Sequence, residues 1–224
     1  NIDVIAGGAA LSMVSASFHA MRENGIDMAE HLQKQLEVLC AEEGYDLVLI
    51  DTAPGEVPLL DAFLAVANYL IIPTKSDESS FKGVEQLAKR FFAAQRNGAS
   101  IKLLGVMLFG ADKGAFRRNE DILDQLSEML GNSGVDPFRV VIRQAESASI
   151  DARARGVSVG ELPAIAEEEQ QEILSSLKKK EKPTRKLWSS NPAGLASDYQ
   201  ELVYEIMKRL AQYEQAPSRV VVGA

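Results

Sequence analysis

Hydrophobic positions along the chain follow two spacings. Nearly continuous apolar runs occur at residues 2–6 (IDVIA), 45–51 (YDLVLID), 69–73 (YLIIP), 102–109 (KLLGVMLF) and 138–142 (FRVVI). Between them, near 27–43, 57–66, 78–97 and 115–131, apolar side chains recur three and four apart, as at Ile122, Leu123, Leu126, Met129 and Leu130. The first spacing predicts strands and the second amphipathic helices. Strands that are apolar on both faces, each followed by a helix, predict an α/β fold with a doubly wound, mostly parallel sheet flanked by helices. In such a sheet, ligands bind outside the carboxyl ends of the strands.

After Gly160 the pattern changes. Residues 162–180 predict a helix that is acidic first (Glu167, Glu168, Glu169) and basic last (Lys178, Lys179, Lys180), the order that complements a helix dipole. A Pro-, Ser- and Gly-punctuated connection, EKPTRKLWSSNPAG, leads to a final helix near 196–213, and residues 216–224 read as a flexible tail.

Composition narrows the reading. A chain of 224 residues, 46% hydrophobic, buries a substantial core and suits one α/β domain, here residues 1–215. The lone Cys40 gives no disulfide framework and favours a reducing, cytoplasmic setting. No apolar run approaches the roughly 20 residues that cross a bilayer. The net charge of −8 repels polyanions on average, so contact with DNA would need basic residues gathered locally. The chain opens on Asn1 with strand-like residues at once, which raises the expectation that an N-terminal portion of the natural protein precedes it.

The chemistry centres on YDLVLIDTAPG, residues 45–55. Asp51 ends an apolar run, where a carboxylate emerges at the edge of a sheet and can hold Mg²⁺ directly or through water. A buried strand capped by Asp is the alternative. The turn Thr52, Ala53, Pro54, Gly55 favours the site, because Pro and Gly fix an unusual backbone path beside the carboxylate. AGGAALS (6–12) follows a strand-like run and has glycines but no lysine, so it reads as a turn and not as a phosphate loop. His19 and His31 have no Cys, Asp or His at ligand spacing and read as surface or helix-packing residues.

The order of these segments resembles the ParA/MinD group of deviant Walker ATPases. YDLVLIDTAPG, then ANYLIIPTKSDESSFKGVEQL (67–87), LLGVMLFGAD (103–112), VVIRQAESASIDARARGVSV (140–159) and ASDYQELVYEIMKRL (196–210) stand in the family's sequence of motifs. Residues 161–192 look like a helical insertion. The resemblance implies a P-loop NTPase-like fold whose opening strands and GK[ST] loop lie upstream of Asn1, with ATP and Mg as cofactors. Asp51 would be the Walker B-like magnesium-side residue, and Thr52, Pro54 and Gly55 the switch turn. Phe109, Gly110, Ile142, Arg143 and Gln144 would lie on the base side. Phe109 stands where the family often has Asn or Thr, and it could equally be a core aromatic.

The resemblance further implies an ATP-dependent homodimer that binds DNA without sequence preference, and a centromere-binding partner protein that stimulates hydrolysis. That is plasmid or chromosome partition in a nucleoid-associated, cytoplasmic protein. Candidate DNA-binding residues are Lys113, Arg117 and Arg118, then Arg153 and Arg155, then Lys178, Lys179, Lys180, Lys182, Arg185 and Lys186, with Trp188 nearby; each cluster could also be a solvated surface. No stable membrane anchor is expected, since the tail APSRVVVGA is too short and too weakly charged. The alternatives are a P-loop-less adaptor for dimerisation or DNA binding, or a MinD-like membrane-associated positioning ATPase. The absence of a Cys-x-x-Cys pair argues against a metal-cluster carrier.

Overall fold

The periodic segments become helices close to where the spacing puts them. In a computed structural model, which describes residues 2–52, 57–131, 133–182, 187–189 and 191–215, the strands are β1 (Tyr69–Thr74), β2 (Lys102–Ala111) and β3 (Val141–Arg143). The helices are α1 (Ala9–Glu23), α2 (Met28–Glu43), α3 (Val57–Val66), α4 (Glu78–Arg96), α5 (Phe116–Met129), α6 (Glu146–Arg155), α7 (Leu162–Lys178) and α8 (Ala193–Gln215). Within α1 the side chains at 9, 10, 12, 15, 16, 19 and 22 lie outside the description, His19 among them. The fold is α/β, with a parallel three-stranded sheet ordered β1-β2-β3 and flanked by helices.

Two of the five expected strands are absent from that sheet. Residues 2–6 and 45–51 form no ladder among the described residues. Their side chains explain why propensity did not suffice: Ile2 is 93% exposed and Leu49 85%, so neither run has a surface to pack on. A strand is defined by its neighbour's hydrogen bonds and packing, and the residue types alone do not supply them. A bond from Tyr45 Oη to Asp3 Oδ2 (2.8 Å) links the two runs. AGGAALS leads straight into α1, with Leu11 N donating to Gly8 O, and α1 itself was not expected.

The chain divides into two units, residues 1–70 with 85–103, and residues 71–84 with 104–224. In the first, α1, α2 and α3 pack on one another. Asp27 caps α2 by accepting from Ala29 N (2.8 Å) and Glu30 N (3.3 Å), and Gly44 closes it in the left-handed conformation that glycine adopts without a Cβ penalty. Arg90 on α4 forks onto both carboxylate oxygens of Asp61 on α3 (3.0 and 3.1 Å). Ala62, Leu64, Phe91, Ile101 and Leu103 form the buried interior of this unit.

In the second unit Val106, Leu108 and Ile142 on the sheet, Leu126 on α5, Phe138 and Leu162 are fully buried. Arg209 on α8 fastens the start of β2 to the loop before β3. Its guanidinium donates to Leu104 O (2.6 Å), Asp136 O (2.7 Å) and Pro137 O (3.0 Å) and lies 4.1 Å over the Phe138 ring. Gly105, at φ 152°, leaves the room this needs: a Cβ there would meet Arg209 Nη1 at 2.5 Å and Phe138 Cε2 at 2.9 Å.

Candidate functional site

The first unit carries the carboxylate picked out in the sequence. Asp51 and Thr52 are exposed at the end of the apolar run 45–51, and Asp51 has no hydrogen-bond or ionic partner among the described residues. Pro54 and Gly55 of the expected switch turn lie outside those residues. Among the described residues no three His, Cys, Asp or Glu side chains gather into a metal-binding cage. A single open carboxylate nonetheless fits Mg²⁺, which keeps several waters and is held by one or two carboxylates together with phosphate oxygens.

In the second unit the carboxyl ends of the three strands form an edge. At β1, Thr74 is buried, Lys75 is exposed and Asp77 caps α4, its carboxyl pulled down to about 2 by hydrogen bonds from Ser79 and Ser80. Phe109 pairs with Ile142 in the parallel register, Ala111 pairs with Arg143, and the register slips at the intervening Gly110, whose φ of 67° suits a bulge. Ile142 is fully buried, Phe109 is 36% exposed, and Gln144 N donates to Ala111 O (3.0 Å). So the five base-side candidates do share this edge. Gly110 and Ile142 have structural reasons for being there, whereas Phe109 and Gln144 face outward.

Arg143 is bound to a residue that sequence reasoning missed. Asp198 on α8 has no exposed surface. Its Oδ2 accepts from Arg143 N (3.0 Å) and Nε (2.7 Å), and its Oδ1 from Arg143 Nη2 (2.9 Å) and Lys113 Nζ (2.5 Å). Burial alone would raise this carboxyl, but the hydrogen bonds from Arg143 and Lys113 outweigh it and hold it below the ordinary value; Arg143 is in turn pushed up, chiefly by its hydrogen bonds to Asp198. The clamp joins the loop after β2 and the last residue of β3 to α8. Gly194 makes room for it, because a Cβ there would fall on the Arg143 guanidinium. One signal was legible: Asp198 lies on the stripe of Leu195, Ala196 and Leu202, where a carboxylate is out of place unless cations meet it.

The loop after β2 holds one further unusual group. Asn119, 6% exposed on α5, donates from Nδ2 to Asp112 O (2.8 Å), while its Oδ1 has no partner among the described residues. Asp112 Oδ1 in turn accepts from Gly114 N (2.9 Å) and shapes the turn that delivers Lys113 to Asp198.

The expected DNA-contacting cations are spread through the second unit. Lys113 is engaged by Asp198. Arg117 and Arg118 are exposed at the start of α5, and Arg153 and Arg155 are exposed at the end of α6, which Gly156 closes in the left-handed conformation. Lys178, Lys179, Lys180 and Lys182 are exposed where α7 ends, and Arg185 and Lys186 lie outside the described residues.

Beyond α7 the chain returns as a docked strap. Asp151 on α6, 2% exposed, accepts from Trp188 N (3.0 Å) and Ser189 N (2.8 Å), and Glu169 on α7, 7% exposed, accepts from Leu187 N (3.1 Å). Leu187 and Ser189 are buried while Trp188 projects, 78% exposed.

Residues 1–103 match the AAA_31 family model, an AAA domain. That model describes P-loop ATPase domains of the ParA/MinD-like kind, and the stretch of this chain that includes Asp51 is similar to it. Domains of this kind generally bind a nucleotide with Mg²⁺. No curated protein matches the chain. Among the described residues no helix is long and apolar enough to cross a membrane.

Proposed function

We propose that the protein is a ParA-like partition ATPase. It binds ATP with Mg²⁺, forms an ATP-dependent homodimer that holds DNA without sequence preference, and hydrolyses ATP when a centromere-binding partner engages it. In this reading residues 1–215 form one functional domain, and 161–192 is an insertion in it. Hydrolysis is phosphoryl transfer to water, in which positioning and charge neutralisation do most of the work. Asp51 helps to hold the magnesium ion, and the turn that follows it senses the γ-phosphate. Phe109, Gln144 and the neighbouring backbone meet the base.

One observation carries the reading: Asp51 is an open carboxylate closing an apolar run, within the residues that match an AAA domain. Arg117, Arg118 and Arg153 supply exposed cations for phosphate contacts, which would make DNA affinity fall steeply with salt. The test is ATP turnover by the full-length protein with duplex DNA and its partner present. Phosphate release that needs Mg²⁺ and rises with both additions supports the assignment; absence of ATP binding and of turnover under those conditions refutes it.

A further inference from the structure

The sheet itself holds Phe109 and Gln144 only loosely to one another. β3 has three residues, and its ladder with β2 slips at Gly110, so past the Phe109–Ile142 pair the strands meet at Ala111 and Arg143 and through the bond from Gln144 N to Ala111 O (3.0 Å). A bulge disrupts a ladder locally and re-aims the side chains beside it. Another tie is needed to fix where those side chains stand.

Asp198 supplies it from α8. Its carboxylate accepts from the main-chain N–H of Arg143, the residue before Gln144, and from the ammonium of Lys113, four residues past Phe109. It also draws in the Arg143 guanidinium through Nε and Nη2, so both cations are committed to α8. Apolar residues of like volume often stabilise a fold as well as a buried ion pair does, so stability alone does not account for a charge on this stripe. Holding two loops in register does.

What the clamp leaves at the edge is an aromatic ring, an amide and open space. Phe109 is 36% exposed and Gln144 is exposed. A Cβ built on Gly110 would meet only Lys75 Cε, at 3.9 Å, among the described residues. A ring stacks on a heterocycle, and an amide pairs with its donors and acceptors, provided that the two are correctly spaced.

We propose that Asp198 is a positioning residue for nucleotide binding. By gripping Arg143 N and Lys113 it sets the spacing of Phe109 and Gln144, and with it the preference for a triphosphate that carries a base. This role rests on the reading that Phe109 and Gln144 meet the base. Such a site has to be held within about 0.5 Å of its productive geometry by supporting bonds, so releasing the loops should cost about tenfold or more in base-dependent affinity.

Calorimetry on the full-length protein with Mg²⁺ would compare ATP with inorganic tripolyphosphate, which has a phosphate chain and no base. The ratio of the two affinities should fall at least about tenfold in Asp198→Asn, with tripolyphosphate binding unchanged. Lys113→Met, which leaves the three bonds of Arg143 in place, should lower the ratio in the same direction and carries the test if Asp198→Asn does not fold. Phe109→Ala/Gln144→Ala should lower the ratio by itself, and Asp198→Asn added to it should lower it little further. A ratio unchanged in Asp198→Asn and Lys113→Met but lowered in Phe109→Ala/Gln144→Ala overturns the positioning role and leaves the base-side reading standing. Equal losses for ATP and tripolyphosphate overturn it too, since they show a structural role only. A ratio that Phe109→Ala/Gln144→Ala leaves unchanged removes the base-side reading, and the role of Asp198 with it.

Discussion

Replacing Asp198 with alanine should destabilise the protein by about 2–4 kcal/mol. The carboxylate has no exposed surface and accepts four hydrogen bonds, one from Lys113 and three from Arg143, at 2.5 to 3.0 Å. Hydrogen bonds to charged groups contribute about 1.5–3 kcal/mol each, and removing one partner of a buried pair costs about 3–5 kcal/mol because a charge is stranded. Here the stranded cations are each 36% exposed, so water recovers part of the loss and the total falls toward the lower figure. Urea unfolding followed by circular dichroism measures it. The acid limb gives a second reading. Asp198 is held below 3.8, so its contribution is complete above that pH and is lost as the pH falls through the lower folded value. The difference between wild type and Asp198→Asn should be flat near neutrality and shrink only below about pH 4. A loss under about 0.5 kcal/mol for Asp198→Ala, the size expected of an ordinary surface change, would refute the clamp.

Other parts of the second unit make separate predictions. Arg209→Ala removes donors from three carbonyls and a cation over Phe138, and should cost about 2–4 kcal/mol in urea unfolding; Arg209→Lys should recover little, since one ammonium cannot reproduce the fork. Gly194→Ala should cost about 1–3 kcal/mol by pressing a methyl on the Arg143 guanidinium, and most of that cost should vanish in an Arg143→Ala background. Asp151→Ala leaves the N–H groups of Trp188 and Ser189 without their acceptor, so the anisotropy of the single tryptophan should drop as the strap loosens.

What the sequence revealed and what it hid follow one physical division. Helices α2 to α5 were legible because each has its own apolar stripe, and β1 and β2 because their apolar runs are buried by neighbours. Residues 2–6 and 45–51 have the same composition as those strands but no ladder among the described residues, and composition cannot report a partner. Asp51 was singled out as a candidate because it closes an apolar run before a Pro-Gly pair in the sequence. Asp151 and Glu169 were missed because each belongs to a helix whose pattern is satisfied without it, and Asp198 because its place on the apolar stripe of α8 signals a buried carboxylate without naming the cations that meet it. Their partners come from residues 18 to 85 positions away, and only the folded chain makes them neighbours. Lys113 shows the reverse: grouped with Arg117 and Arg118 as a candidate DNA contact, it is turned to Asp198.

The central claim is that Asp51 stands on the magnesium side of an ATP site. It is tested most directly by measuring ATP binding to the full-length protein by calorimetry, with and without Mg²⁺, for wild type and Asp51→Asn. Asparagine keeps the shape of an exposed side chain but gives up the charge that a hard cation prefers. The account predicts that Mg²⁺ tightens ATP binding to wild type and that this tightening disappears in Asp51→Asn while metal-free binding is unchanged. Equal tightening in both proteins would contradict it.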